Sequence, residues 1–252
     1  KSLVLTHLKV TDEGLKTLSE MESLEHLVLH NTEITDAGLA HLASLGNLRS
    51  LNLESTKITN EGVSQLSGLM QLEELNLFST RVTPDVLDHL QGLSSLRRLR
   101  LPSTAKMTNA HLQQVGQLRN LETFKCVSDL VTDDGLRHLA RLTRLREASI
   151  GGEQITNEGI GHLKDLRELE VLGIFRTQLN DDGLTSIRSP KLHRLSLDGN
   201  RIQGPGLAHL QGLSALKVLI VYEDLSEAAE ETARRTLPGV SIDTDDSWKF
   251  AP

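Results

Sequence analysis

A 24-residue unit recurs about nine times along this chain. One copy, Leu24 to Asn47, reads LEHLVLHNTEITDAGLAHLASLGN, and the next, from Leu48, reads LRSLNLESTKITNEGVSQLSGLMQ. First-position leucines stand at Leu24, Leu48, Leu72, Leu96, Leu121, Leu145, Leu169, Leu192 and Leu216, at steps of 24, 24, 24, 25, 24, 24, 23 and 24 residues. A truncated copy precedes them, its Leu3 and Leu5 matching Leu27 and Leu29. A fixed period of this length means that no unit buries its apolar face alone. Neighbours stack to share one continuous core, and no central cleft is expected. The period runs almost end to end, so we expect one repeat array over residues 1–225, followed by a capping helix, a closing strand and a tail over residues 226–252.

Each copy divides into two halves. The opening LxxLxL, as in Leu24, Leu27 and Leu29, predicts a short strand whose alternate side chains point into the core. Successive strands are parallel and need right-handed crossovers. The second half, ITDAGLAHLASL, predicts a short helix, with Leu39, Leu42 and Leu45 along one line. Thr35 is placed to cap that helix and Asp36 to complement its positive end. Pro84, in the Asp36 slot of its own copy, fits a first helical turn. Gly38 and its equivalents at positions 14, 62, 135, 159, 183 and 206 are expected to let the helix approach the strand layer. Thr32, Thr56, Thr80, Thr104, Thr177 and Asn200 occupy the connecting turn, where a hydroxyl or amide is expected to bond neighbouring turns. The fold class is therefore α/β: a right-handed solenoid with about ten parallel strands on a concave face and short helices on a convex one.

This pattern resembles the leucine-rich repeat family. Its TxITDxGLxxLxxL half is most similar to the bacterial, planctomycete-type repeats, and is related in pattern to the receptors that pair such repeats with an F-box. The F-box version usually carries cysteine where this chain has Thr32, Thr56 and Thr80, which favours the bacterial type. Glu227–Leu237 reads as a longer helix and LPGVSI, Leu237–Ile242, as the closing strand of such arrays. The resemblance implies a protein-interaction scaffold and transfers no catalytic residue, because the family's motif is structural.

Composition narrows the choice of partner. A net charge of −7 argues against a nucleic-acid or anionic-membrane binder. No stretch approaches the roughly 20 apolar residues of a membrane span. The lone Cys126 sits in a core leucine slot, where a buried structural thiol is expected, and no internal disulfide can form. Array ends without disulfides favour a reducing compartment, so a cytoplasmic location is expected. The chain begins inside a repeat, so Lys1 is expected to be a cleavage boundary, and any upstream targeting segment or further domain would lie outside this sequence. No GxSxG, glycine-rich phosphate loop, HExxH or CxxC motif is present, and no cofactor or metal is expected.

Slots explained by the repeat say little about function, so the variable ones carry it. The seventh position of LxxLxLxx should project from the open side of the sheet. It holds Thr6, His30, Glu54, Phe78, Pro102, Val127, Gly151, Phe175, Asp198 and Tyr222. Three of the six aromatics in the chain fall in these ten slots, where chance would place about a quarter of one. Aromatics dominate binding hot spots. The plainer alternative is that each ring lies flat on its neighbours. On the same side, Arg98, Arg100 and Lys125 form a basic spot, edged by Arg97 and flanked by Glu54, Glu73, Glu74 and Glu147. It reads either as cross-strand ion pairing or as an anchor for an acidic segment of a partner. Gly151, Gly152 and Gly173 precede Phe175 and leave room for a shallow depression, with Arg176 and Arg194 nearby.

Other constellations have structural readings. His41, His89, His138, His162 and His209 share one helical slot, with no carboxylate or cysteine to complete a metal site. His26 and His30 are close together on the open side, and two ligands do not make a site. Asp129 and Glu153 replace threonine in adjacent turns, as acceptors of turn N–H groups or as ligands to a cation. Trp248 and Phe250 follow an acidic run and either cover the last repeat or form a docking peptide. The expected function is a non-enzymatic, monomeric scaffold gripping a protein or peptide through Phe78, Phe175, Tyr222, Arg98, Arg100, Lys125, Arg176 and Arg194. The alternative is a substrate-recognition arm of a larger multidomain enzyme or ubiquitin-ligase-type assembly.

Overall fold

The computed structural model describes residues 1–102, 104–221 and 225–244. Tyr222, Trp248 and Phe250 lie outside the described residues. Eleven short strands form a parallel sheet in sequence order. They are β1 (Ser2–Val4), β2 (His26–Val28), β3 (Ser50–Asn52), β4 (Glu74–Asn76), β5 (Arg98–Arg100), β6 (Thr123–Val127), β7 (Glu147–Gly151), β8 (Val171–Phe175), β9 (Arg194–Ser196), β10 (Val218–Ile220) and β11 (Ser241–Asp243). Ten belong to repeats and β11 is the closing strand. It starts later than LPGVSI suggests, because Leu237–Val240 is spent on the turn after the helix Glu227–Thr236.

Backbone contacts group the chain into two units: Lys1–Lys106 with Gln117–Phe124, and Met107–Gly116 with the residues from Lys125 on. In the first, strand pairing sets leucine on leucine, Leu3, Leu27, Leu51, Leu75 and Leu99. In the second, Ala148, Leu172, Leu195, Leu219 and Ile242 follow one another in the same way. The copy starting at Leu24 shows why the period holds. Leu24, Leu27, Leu29, Ile34, Leu39, Leu42 and Leu45 are all 1% exposed or less. At about 2 kcal/mol per buried leucine, a one-residue slip would expose a whole strand's contribution.

The predicted helices are mostly single turns. Asp36–Leu39 continues as the 3-10 turn Ala40–Leu42, and Pro84–Val86 is a 3-10 turn before Leu87–Leu90. Asp181–Ser186 and Pro205–Gly212 are 3-10 throughout. The tighter winding rises further per residue, which suits the copy shortened to 23 residues. Among the described residues no helix is long and apolar enough to cross a membrane.

Two expectations about the helix start need correction. Thr35 makes no side-chain cap bond. Its hydroxyl and backbone N–H both donate to the Asp12 carboxylate of the preceding copy, at 2.6 and 2.8 Å. Asp36 holds Thr59, and Asp133 holds Thr156, at the same distances. Asn60 holds Thr83 and Asn109 holds Thr132 through amides. The hydroxyl donates its one proton to the preceding copy and keeps its lone pairs for the helix, as Thr59 and Thr156 show by also accepting the Glu61 and Glu158 N–H groups at 3.3 and 3.2 Å. The glycines serve this ladder, not the strand layer. A Cβ on Gly38, Gly62, Gly135, Gly159 or Gly183 would lie 2.2–2.5 Å from the Oδ1 of the Asp or Asn one copy back. Where that residue is Pro84, the next copy has no glycine. His111 takes the slot, and its Nδ1 accepts the Thr108 N–H at 3.0 Å. Val86 fills the slot after Asn60, in the copy whose helical half opens as a 3-10 turn.

The expected bonds between neighbouring turns are made by Thr177 and Asn200, but not by the first three turn threonines. Thr32, Thr56 and Thr80 donate to Leu29, Leu53 and Leu77 of their own turns at 2.6–2.7 Å. An amide, with two donor hydrogens and an acceptor, can serve two copies through several bonds at once. Asn200 does so, donating to Leu197 and Ile174 and accepting from the Thr177 N–H and hydroxyl. Cys126 is 1% exposed, and burial pushes its thiol up to about 12. Since the thiolate is the reactive form, the folded chain at pH 8 should react with a disulfide reagent at least about a hundredfold more slowly than the urea-unfolded chain. Comparable rates would place the thiol at the surface.

Candidate functional site

In each unit the open face of the sheet, opposite the buried leucines, carries side chains that the repeat leaves free to vary. In the first unit it is polar and internally paired. Arg98 on β5 meets Glu74 on β4 at 3.0 Å, and Arg100 lies 3.9 Å from Glu54. Asn76 donates to Glu54 at 2.8 Å, and its Oδ1 accepts the Phe78 N–H at 3.0 Å. Phe78 itself is 39% exposed, with the Arg100 guanidinium 5.2 Å from its ring centroid. The ring is thus held by a cation over its face and not by burial, a contact of about 0.5–1 kcal/mol at such a site. Of the expected basic spot, Arg98 and Arg100 are neutralised across strands, while Lys125 belongs to the second unit.

A second column went unread in the sequence. The position after each first leucine alternates in sign through Glu25, Arg49, Glu73, Arg97 and Glu122, and then Arg146 and Glu170. In the first unit Arg49 meets Glu73 at 2.6 Å, and Arg97 reaches Glu73 at 3.7 Å and Glu122 at 3.4 Å. In the second, Arg146 meets Glu170 at 2.6 Å. The signal was available as a charge alternation at the repeat period, visible only when the copies are aligned.

In the second unit the open face carries Gly151, Gly173 and Phe175. The Phe175 ring folds back along its own strand, so that a Cβ on Gly173 would lie 2.4 Å from Cε2 and 2.5 Å from Cζ. The expected depression beside Phe175 is therefore filled by Phe175. Gly151, buried, sits between Val127 and the Phe175 backbone. Arg176 follows in the left-handed region, with φ of 49°. Its slot elsewhere holds His7, Asn31, Ser55, Ser79 and Gly199, all at positive φ. Arg176 is the one long charged side chain among them, and the conformation costs about 1–2 kcal/mol relative to glycine. Arg176 shares the lining of an open hollow of about 410 Å³ with Arg201, Glu153, Gln178, Thr177 and Gly199. Arg201 was not singled out from sequence. Arg194 on β9 is half-buried, and Asp198 accepts a bond from the Ser196 hydroxyl at 2.9 Å.

The remaining candidates fall into structural roles. The Asp129 carboxylate accepts the Glu153 N–H at 3.2 Å, as the threonine-replacement reading expects. No group of three or more His, Cys, Asp or Glu residues able to hold a metal occurs among the described residues. His30 is brought to His7, edge to face at 5.0 Å, and His7 Nδ1 is bonded to Asn31. Burial first, and then the charges of Arg137 and Arg141, hold the His138 imidazole below its ordinary value.

Comparison with known proteins agrees with this architecture. The leucine-rich repeat family model matches residues 47–67 and 188–210. A search of curated proteins found no match. Among solved structures, an internalin C2 from Listeria monocytogenes is 25% identical, with 84% of each chain covered and a TM-score of 0.61. A leucine-rich repeat protein from Leptospira interrogans is 22% identical, over 90% of this chain and 62% of that one, with a TM-score of 0.65. The phased leucines, the parallel strands stacked in sequence order, the matched family model and these neighbours agree: the chain is a leucine-rich repeat protein.

Proposed function

We propose that this chain is a non-enzymatic binding module that engages a protein or peptide through the open face of its sheet. Leucine-rich repeat proteins generally bind other proteins, and nothing in this chain's motifs supplies a nucleophile, a metal set or a phosphate loop. The observation that carries the reading is Phe78. It is a large aromatic, 39% exposed on a polar face, positioned by Arg100 and by the Asn76 amide. An aromatic held in place yet unburied loses little conformational entropy on contact and brings a large apolar area to it. Phe175 offers the corresponding contact in the second unit.

Selection of a displayed random-peptide library on the immobilised chain tests the proposal. Peptides recovered on the wild-type chain should lose about 2 kcal/mol of affinity against Phe78→Ala or Phe175→Ala. They should bind unchanged to His41→Ala/His209→Ala, which alters only the helical side. Peptides insensitive to both aromatic substitutions, or lost on the helical-side variant, would overturn the assignment.

A further inference from the structure

The arginines of the open face divide into two kinds. In the first unit each is matched to a carboxylate, Arg98 to Glu74 and Arg100 to Glu54. In the second unit Arg176, Arg194 and Arg201 have no carboxylate within ion-pair distance among the described residues. Two of them, Arg176 and Arg201, line one open hollow at the turn edge of the sheet, next in sequence to the Phe175 strand. Arg176 is held there in a left-handed backbone conformation that disfavours a long side chain. Strain of this kind, kept where glycine stands one copy earlier at Gly152 and one copy later at Gly199, points to a use for the side chain.

We infer that the hollow between Arg176 and Arg201 takes a carboxylate of an acidic, extended partner segment, whose adjacent apolar side chain rests on the Phe175 ring. The inference deepens the binding reading above and rests on it. Two guanidiniums without a carboxylate partner among the described residues supply planar donor forks, which match carboxylate geometry and form charge-assisted bonds roughly twice as strong as neutral ones. Glu153 lines the same hollow without pairing to either arginine, and there it accepts a backbone N–H of the segment. The chain's overall charge of −7 leaves these local cations as the attraction for an acidic partner. The anchor thereby moves from Arg98 and Arg100, already neutralised, to the other unit.

Fluorescence anisotropy with three labelled heptapeptides tests this: one alternating Asp and Leu, one with Asn for Asp, and one with Lys for Asp. The Asp peptide should bind, and weaken as salt is raised, while the Asn and Lys peptides bind at least about tenfold more weakly. Arg201→Ala should weaken the Asp peptide about tenfold, and Arg49→Ala, at an arginine paired to Glu73 outside the hollow, by less than about twofold. Arg176→Gly should do two things at once, weakening binding about tenfold while raising the melting temperature, because the backbone strain is relieved. A purely structural role for Arg176 would give the second change without the first. Equal binding of the Asn peptide, loss on the Arg49 variant with Arg176→Gly unaffected, or no binding of the Asp peptide would each overturn the inference. The library selection reports separately on the broader reading, since it imposes no charge on the peptide.

Discussion

Replacing Gly135 with alanine is expected to cost about 2–3 kcal/mol, and removing the Asn109 side chain from the same chain should return part of that loss. The new methyl would stand 2.5 Å from Asn109 Oδ1, 3.2 Å from its Cγ and 3.0 Å from a Leu112 methyl, all side-chain atoms. It therefore collides with the amide that holds Thr132 through two bonds, at 2.9 and 3.0 Å. Asn109→Ala alone should cost about 1–2 kcal/mol for those bonds. The double variant should be more stable than the sum of the two losses by about 1 kcal/mol or more, because once the amide is gone the methyl has space. Urea denaturation of the four chains gives the coupling directly. Additive losses would mean that Gly135 is needed against some other neighbour, and would sink the ladder as the reason for the glycine column. His111, which replaces glycine where Pro84 offers no acceptor, is the same experiment already made within the chain.

Asn200→Ala should be costlier still, at about 3 kcal/mol or more. Asn200 is 6% exposed and its amide makes four close bonds. Two run to the carbonyls of Ile174 and Leu197, and two come from the Thr177 N–H and hydroxyl. Truncation leaves these buried groups facing a void, and an unsatisfied buried group loses its full desolvation cost. Thr32→Val removes a single bond to Leu29 and should cost about 1 kcal/mol. The comparison can be read from urea midpoints, with hydrogen exchange at Thr177 and Leu179 showing whether the loss is local. Equal costs for Asn200→Ala and Thr32→Val would refute the idea that the amide bridges two copies.

The leucines at 24, 27 and 29 were legible because burial depends on periodicity alone, and periodicity is printed in the sequence. The same holds for the strand order and the closing strand. The Thr35 bond was not legible because a hydroxyl can donate as well as accept. Its acceptor, Asp12, stands 23 residues earlier. The glycine column was assigned to the wrong neighbour for the same reason: a close approach names no partner until the copies are stacked. Within the candidate site, Phe78 and its exposure followed from the column. The direction of the Phe175 ring did not, because rotamer choice depends on the space that Gly173 leaves. The Arg98 and Arg100 pairings were one of the two readings open in the sequence: setting each strand on the previous one places Arg98 against Glu74, while Arg100 stands against Asn76 and reaches Glu54 a copy further back. Arg201 could not be read this way, since its importance lies in what fails to pair with it.

The alternating column beside the first leucines carries a consequence for how such a chain can change its length. In the first unit the signs run Glu25, Arg49, Glu73, Arg97, Glu122, so each copy is complementary to its neighbours and identical in sign to the copy after next. Loss of the single copy 48–71 would bring Glu25 against Glu73, like charge on like, whereas loss of copies 48–95 would bring Glu25 against Arg97. Each exposed pair contributes only up to about 1 kcal/mol, yet the preference it sets is one of parity. The leucines permit the array to grow or shrink by any number of units, and the charges permit it to do so by twos.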